Sequence, residues 1–276
     1  MVKIAVVVLN YMNYQETVFC IDSVLLQKNN SFRIIVVDNG SSNESFQILK
    51  EKYCHNRLVH VIKARKNYGF AKGNNIGIQY ARQRLQVDFV LLINSDTVMR
   101  DENYISTLLS HDEKSVGVIG SEIVLRNGRK QRLYYEYVGF PETLIYYLYL
   151  LSTLYGLNVL ENHMERLLRK RKKEQMLHGS AFMLTPLFFE VYDGLYSRTF
   201  LYGEEILLYI MCKRAGLRQI YVSDTNIFHK EDQSSKFLFG NRCSVKEKYA
   251  LQSYKYVVWE SFRDFIKNSL KSRRKA

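Results

Sequence analysis

The chain is poor in residues that break or cross-link a fold. Of 276 residues only 2 are proline and 14 glycine, which excludes collagen-like and low-complexity architectures. Cysteine is scarce and scattered. Cys20, Cys54, Cys212 and Cys243 lie far apart with no C-x-x-C pair, so reduced thiols are expected rather than a disulfide framework or a zinc site. No uninterrupted apolar run reaches the ~18 residues of a membrane-spanning helix. The apolar run after Lys3 is too short for a secretory signal and stops at Asn10 without a small-residue cleavage site. Acidic residues are outnumbered, 27 Asp+Glu against 40 Lys+Arg, for a formal charge of +13. Apolar residues are plentiful at 47%, which excludes a disordered chain. The length suits one large domain or two small ones with a substantial core. The excess charge calls for nucleic acid, an anionic membrane surface or phosphorylated substrates.

Strand-like and helix-like segments alternate through the first half. Ile4–Leu9, Arg33–Asp38, Leu58–Ala64, Asp88–Ile93 and Val116–Leu125 read as strands. Thr17–Leu26, Phe46–Tyr53, Ala71–Leu85 and Ile105–Leu109 read as helices between them. This alternation predicts an α/β fold with a mostly parallel sheet flanked by helices. Ligands of such sheets bind at the carboxyl ends of the strands. There the polar clusters Asn10-Tyr11, Asp38-Asn39 and Asn94-Ser95-Asp96 all fall. A Tyr-rich stretch, Tyr134–Leu160, follows, then a basic cluster from Arg166 to Lys173. Met176–Thr185 and Arg218–Val222 read as strands, Glu204–Ala215 as a helix closed by Gly216, His229 as a loop residue and Tyr249–Leu270 as a terminal helix.

Each cluster has a plain reading beside a chemical one. Asp96 can hold a hard divalent cation that bridges a diphosphate, yet Asn, Ser and Asp are also favoured in any strand-end turn. Asn67, Gly69, Lys72 and Asn74 open a helix, where donors and close backbone approach suit phosphate. They match neither a P-loop nor a dinucleotide fingerprint, and a glycine-permitted cap is the plain alternative. Glu204 and Glu205 gain from a helix N-terminus, or serve as a general base with a supporting carboxylate. His229 is either a solvated histidine or a metal ligand.

Together the segments resemble the inverting family-two nucleotide-sugar glycosyltransferases with the GT-A fold, and among them the bacterial rhamnosyltransferase-like branch. Val6–Tyr11, Ile35–Ser42, Asn67–Gly77, Leu91–Thr97, His178–Met183, Phe200–Glu205 with Cys212–Gly216, and His229 carry the resemblance, in order over about residues 1–235. The resemblance implies a metal-dependent hexosyltransferase. Asn10, Tyr11, Asp38, Asn39, Asn67, Gly69, Lys72, Asn74, Asn94 and Ser95 would bind the donor, a dTDP-, UDP- or GDP-sugar. Asp38 would accept from the nucleobase. Asp96 and His229 would hold Mg²⁺ or Mn²⁺, Glu205 with Glu204 would be the base, and Gly179 and Ser180 would line the acceptor side. Residues 1–125 would form the nucleotide-sugar-binding half, 126–175 a Tyr-rich and basic helical insertion, 176–235 the acceptor half of the same domain, and 236–276 a basic C-terminal helical tail.

The sequence departs from the family pattern at Asn94, at Gly203, and at Glu205, which stands where the usual pair ends in Asp. These departures carry a second reading, a degenerate relative that binds an active partner enzyme. The implied acceptor is a lipid-linked saccharide of bacterial surface polysaccharide synthesis, transferred rhamnose or a similar hexose. No nucleic-acid recognition motif appears, so no nucleic-acid partner is expected. Residues 126–175 hold ten Lys or Arg against five acidic residues, and 255–276 seven against two. The charge therefore lies outside most nucleotide-binding segments and fits a cytoplasmic protein peripheral on the inner face of an anionic membrane. The Tyr-rich segment could be packed core, but because the basic cluster follows directly it is read as an interfacial helix pair at the acceptor side.

Overall fold

The structure, a computed structural model, describes residues 3–28, 31–131, 133–230 and 243–273. The 235/236 boundary and the last basic residues, 274–276, lie outside the described residues. The first half follows the alternation: β1 (Ile4–Asn10), α1 (Tyr14–Leu25), β2 (Phe32–Asp38), α2 (Ser45–Tyr53), β3 (Val59–Lys63), α3 (Phe70–Arg84), β4 (Phe89–Asn94), the short β5 (Thr97–Val98), α4 (Tyr104–Ser110) and β6 (Val116–Leu125). Next come β7 (Lys130–Gln131), β8 (Tyr134–Glu136), α5 (Glu142–Leu154), α6 (Asn158–Leu168), β9 (Glu174–Met176), β10 (Ala181–Leu184) and α7 (Pro186–Phe189). The chain continues through α8 (Glu204–Ala215) and β11 (Arg218–His229) to α9 (Cys243–Arg273).

One sheet runs β3-β2-β1-β4-β10-β6-β11-β5, with β7 on β6. It is mixed. β10 lies antiparallel between β4 and β6, and β5 and β7 also run against their neighbours. The remaining six strands share one direction. Strand alternation sorts the core into two layers. Ile4, Val6 and Val8 pack with α1, α2 and α4, while Ala5 and Val7 pack with α3, α7 and α8. Burial on both faces is why these strands are continuous apolar runs, each large aliphatic contributing about 1.5–3 kcal/mol. Cys20 and Cys212 are buried free thiols in these layers, and Cys54 is an exposed one.

A third cluster joins Ile206, Leu207 and Ile210 of α8 to Tyr254 and Val257 of α9, with Tyr146, Tyr147 and Leu150 of α5 against it. Tyr146 touches the rings of Tyr137, Tyr149 and Tyr254. Of the two readings of the Tyr-rich stretch, the packed one describes these side chains. The remaining corrections concern boundaries. Met176–Thr185 is not one strand, because a turn at 177–180 separates β9 from β10, and the two lie in different sheets. His229 is not in a loop but ends β11, which continues past Val222 through a register shift to Asn226. The terminal helix starts at Cys243 rather than Tyr249.

Candidate functional site

β1, β2 and β4 are parallel and in register, so Asn10 stands opposite Asp38, and Leu9 opposite Asn94, at their carboxyl ends. A cleft of about 220 Å³ opens there. Tyr11, Asn39, Asn67, Gly69, Asn94, Ser95, Asp96 and His229 line it, with Leu9, Phe70 and Phe200–Tyr202 as apolar walls. Eight of the residues expected from the sequence are thus brought together from five chain segments.

The loops around the cleft are tied by amides. Asn39 Nδ2 donates to Asn67 Oδ1 at 2.9 Å and to the Gly69 carbonyl at 3.2 Å, and Asn39 Oδ1 accepts from Tyr68 N–H at 3.1 Å. Gly69 has φ +80°, and a Cβ there would stand 2.1 Å from the Phe200 carbonyl oxygen. That close approach lets Phe70 N–H donate to the same oxygen at 2.8 Å, which fastens the 200–202 wall to α3.

Other expected donor residues lie elsewhere. Asp38 and Asn10 are fully buried behind the wall. Asp38 accepts from Asn10 Nδ2 at 2.8 Å and Ser41 N–H at 3.0 Å, and Thr17 Oγ1 donates to Asn10 Oδ1 at 2.7 Å. Asp38 therefore braces the loops instead of lining the cleft. Asn74 is buried within α3 and donates to the Phe70 carbonyl at 3.0 Å. Lys72 is exposed and faces a separate groove with Tyr192 and Arg198, because it projects from the outer side of α3.

At the other end of the cleft, β5 pairs with the end of β11, setting Thr97 opposite His229. Lys230 N–H donates to the Asp96 carbonyl at 3.0 Å. These bonds bring His229 Nε2 to 3.2 Å from Asp96 Oδ1, with both side chains nearly buried. His229 Nδ1 is buried with no hydrogen-bond partner. His178 packs edge-on to His229. Burial, then His229, depress its pKa to about 4, and its Nδ1 accepts from Ser180 N–H at 3.0 Å.

Among the described residues no group of three or more His, Cys, Asp or Glu could hold a metal ion. A buried carboxylate and an imidazole converging on a cleft nevertheless fit Mg²⁺ or Mn²⁺ when substrate phosphates and water complete the shell.

Glu204 and Glu205 open α8 beside this cleft. Their carboxyl ends turn onto a space of about 10 Å³ shared with Phe70, His178 and Gly179, room for about one water. Phe70 therefore forms a wall of both spaces. Burial, then the Glu205 charge, push Glu204 up to about 8. Burial also raises Glu205, partly offset by a hydrogen bond from Gly179 backbone. Gly179 thus faces the carboxylate pair and not the cleft, and Ser180 is buried below it. Sequence reasoning missed Phe70 and Leu201 as walls and His178 as a neighbour of His229. Their signal was position within segments already singled out, Asn67–Gly77, Phe200–Glu205 and His178–Met183.

Comparisons with known proteins bear on the family and the fold. A family model described as glycosyl transferase family 2 matches residues 5–185. Over 225 residues the chain is 26% identical to the low-salt glycan biosynthesis hexosyltransferase Agl10 of Haloferax volcanii, covering 81% of this chain and 65% of that one. The chain thus spans just under two thirds of that curated relative. The solved structure of GalNAc-T7 with UDP, GalNAc and Mn²⁺ superposes with a TM-score of 0.60 at 13% identity, over 85% of this chain and 45% of that one. The mannosyltransferase PcManGT of Pyrobaculum calidifontis, in complex with GDP-Man and Mn²⁺, gives 0.57 at 11% identity, over 97% and 75%. At such identities the likeness is one of fold, and the fold is the GT-A arrangement expected from the sequence.

Proposed function

The chain belongs to glycosyl transferase family 2, and on that premise we propose that it transfers a hexosyl group from a nucleotide-sugar donor to a lipid-linked saccharide, inverting the anomeric carbon. The observation that carries this reading is the adjacency of two chemical centres. Phe70 lines both the cleft that holds Asp96 and His229 and the space that holds Glu204 and Glu205, and His178, on that second space, packs edge-on to His229. The donor is a dTDP-, UDP- or GDP-sugar, with rhamnose or a similar hexose. The acceptor places the work at the inner face of a bacterial membrane. Both solved relatives carry a nucleotide or nucleotide sugar with Mn²⁺, which supports the donor class.

In this proposal Tyr11, Asn39 and Asn67 hold the nucleoside, while Asp38 and Asn10 stiffen the loops behind them. Asn94 and Ser95 border the diphosphate. Mg²⁺ or Mn²⁺ held by Asp96 and His229 would supply Lewis-acid stabilisation of diphosphate charge. Glu204, neutral below about pH 8, leaves Glu205 as the ionised member of the pair. Glu205 takes the proton from an acceptor hydroxyl, whose oxygen bonds to the anomeric carbon as the bond to the diphosphate oxygen breaks on the opposite face. Phe70 keeps bulk water from the carboxylates.

A panel of labelled nucleotide sugars, incubated with the protein, Mn²⁺ and bacterial lipid extract, tests this through product mass spectrometry. We expect transfer from one donor class, reduced at least about a hundredfold in Asp96→Ala and Glu205→Gln. Turnover of no donor would overturn the enzyme reading, and donor binding without turnover would favour the degenerate, partner-binding one.

A further inference from the structure

The layer between the sheet and α8 contains one amide among apolar side chains. Leu217 and Tyr221 pack in the layer beneath α8, and Ile220 in the opposite one, so strand alternation turns Gln219 of β11 toward α8. Its Nε2 and Oε1 are both buried with no hydrogen-bond partner among the described residues. The Cys212 thiol lies beside the amide, but a thiol is too weak a partner to satisfy it. Gln219 and Leu177 line two spaces at once. One is the space of about 10 Å³ that holds Glu204 and Glu205. The other is a groove of about 450 Å³ whose walls include Gln175 and Lys213, both exposed. These two side chains therefore separate the carboxylate pair from the outside. Glu204 Oε1, on the inner space, is likewise buried and unpartnered. Unbonded amide atoms in an apolar layer are costly, and buried water is what ordinarily satisfies them.

We propose that Gln219 is a positioning residue for a line of water that links the Glu204–Glu205 pair to this groove, and that Glu205 is reset through it after each transfer. The inference rests on the reading of Glu205 as the base. As the acceptor oxygen bonds to the anomeric carbon, its proton moves to a Glu205 carboxylate oxygen. Phe70 shields the resulting acid from the cleft, so the proton leaves from behind. The Glu205 O–H bond breaks as a water oxygen takes the proton, and each further water hands one proton on until bulk buffer receives it. Glu205 is left as a carboxylate for the next acceptor. Gln219 changes no protonation state. Its Nε2 donates to these waters and its Oε1 accepts from them, which holds them in line. Glu204 supplies a second contact at the inner end. An apolar side chain at position 219 would fill the layer as well and break the line.

Gln219→Met removes the amide and keeps its bulk. With the full-length variant and the donor and acceptor identified by the panel, we expect kcat to fall about tenfold or more and KM for donor to stay. The solvent deuterium isotope effect on kcat should rise, because proton release has become slow. The urea midpoint should hold or rise, since the variant loses a polar group that the layer does not satisfy. A second measurement needs no turnover. Glu204 keeps its proton up to about pH 8, so at neutral pH its carboxyl C=O stretch is visible in the infrared and is assigned by its loss in Glu204→Gln. In Gln219→Met that band should move to higher frequency as the water is lost. Unchanged kcat in Gln219→Met overturns the proton route. So does a kcat that falls together with the urea midpoint, which marks a structural amide. An unmoved infrared band overturns the water. A wild-type chain that turns over no donor, with a band that moves, sinks the transferase reading and spares the line of water.

Discussion

A Cβ built on Gly179 would stand 2.4 Å from Glu205 Oε1. Gly179→Ala should therefore displace the carboxylate from its niche, lowering kcat far more than it raises KM for donor. Steady-state kinetics on the donor identified by the panel would show this split. The same pair makes pH predictions of opposite sense for stability and activity. Glu204 rises from its ordinary 4.5 to about 8, so the folded chain keeps a proton that the unfolded chain releases. Its contribution to stability is complete below about pH 4.5 and is lost as pH climbs toward 8. Glu204→Gln should flatten that decline, read as urea midpoints at about pH 5 and pH 9. Activity should instead rise with pH as Glu205 ionises, and because Glu204 stays neutral through that limb, Glu204→Gln should leave the limb in place. Residue identities at the site were legible because three polar clusters each follow a buried apolar run, at the strand ends where such sheets bind ligands. Their orientation was not. Asp38 and Asn74 look like ligand contacts in sequence, but both are buried and bonded inside the fold, Asp38 to Asn10 and Ser41 and Asn74 to the Phe70 carbonyl.

At the scale of elements, β1, β2 and β4 were readable because burial on both faces writes them as unbroken apolar runs. β11 was readable only to Val222. The next residues, Ser223-Asp224-Thr225-Asn226, are polar and look like a turn. In the sheet they form the irregularity through which β11 resumes beside β6, Asn226 facing Glu122, and carries His229 to Asp96. Local composition cannot report a strand held by its neighbours across a bulge. The packing of α5 gives a sharper test of how α9 is held. Tyr146 sits among Tyr137, Tyr149 and Tyr254, and Tyr146→Ala should cost about 3 kcal/mol in denaturant unfolding.

Over the whole molecule, α9 is part of the packed body as well as an edge. Tyr254 and Val257 cover Ile206, Leu207 and Ile210 of the helix that begins with Glu204 and Glu205. Removing residues 243–276 should cost at least about 3 kcal/mol, the burial of two large side chains. It should also abolish donor turnover in lipid-free buffer, where loss of a membrane anchor alone would leave turnover intact. The net charge of +13 and its concentration in residues 126–175 and 255–276 were legible from the sequence, but the pairing of those charges was not. Which cations remain available became visible only when Arg214 was found engaged with Glu260 and Asp264.

The 200–202 wall is clasped from two directions, by Phe70 N–H on one side and Ser253 Oγ on the other. Cleft and α9 therefore share a single strip of backbone. A nucleotide sugar that orders the 200–202 strip should therefore also slow amide exchange in the near half of α9. Exchange over residues 249–257 with and without saturating donor would measure this, and unchanged protection would show cleft and helix to be thermodynamically independent.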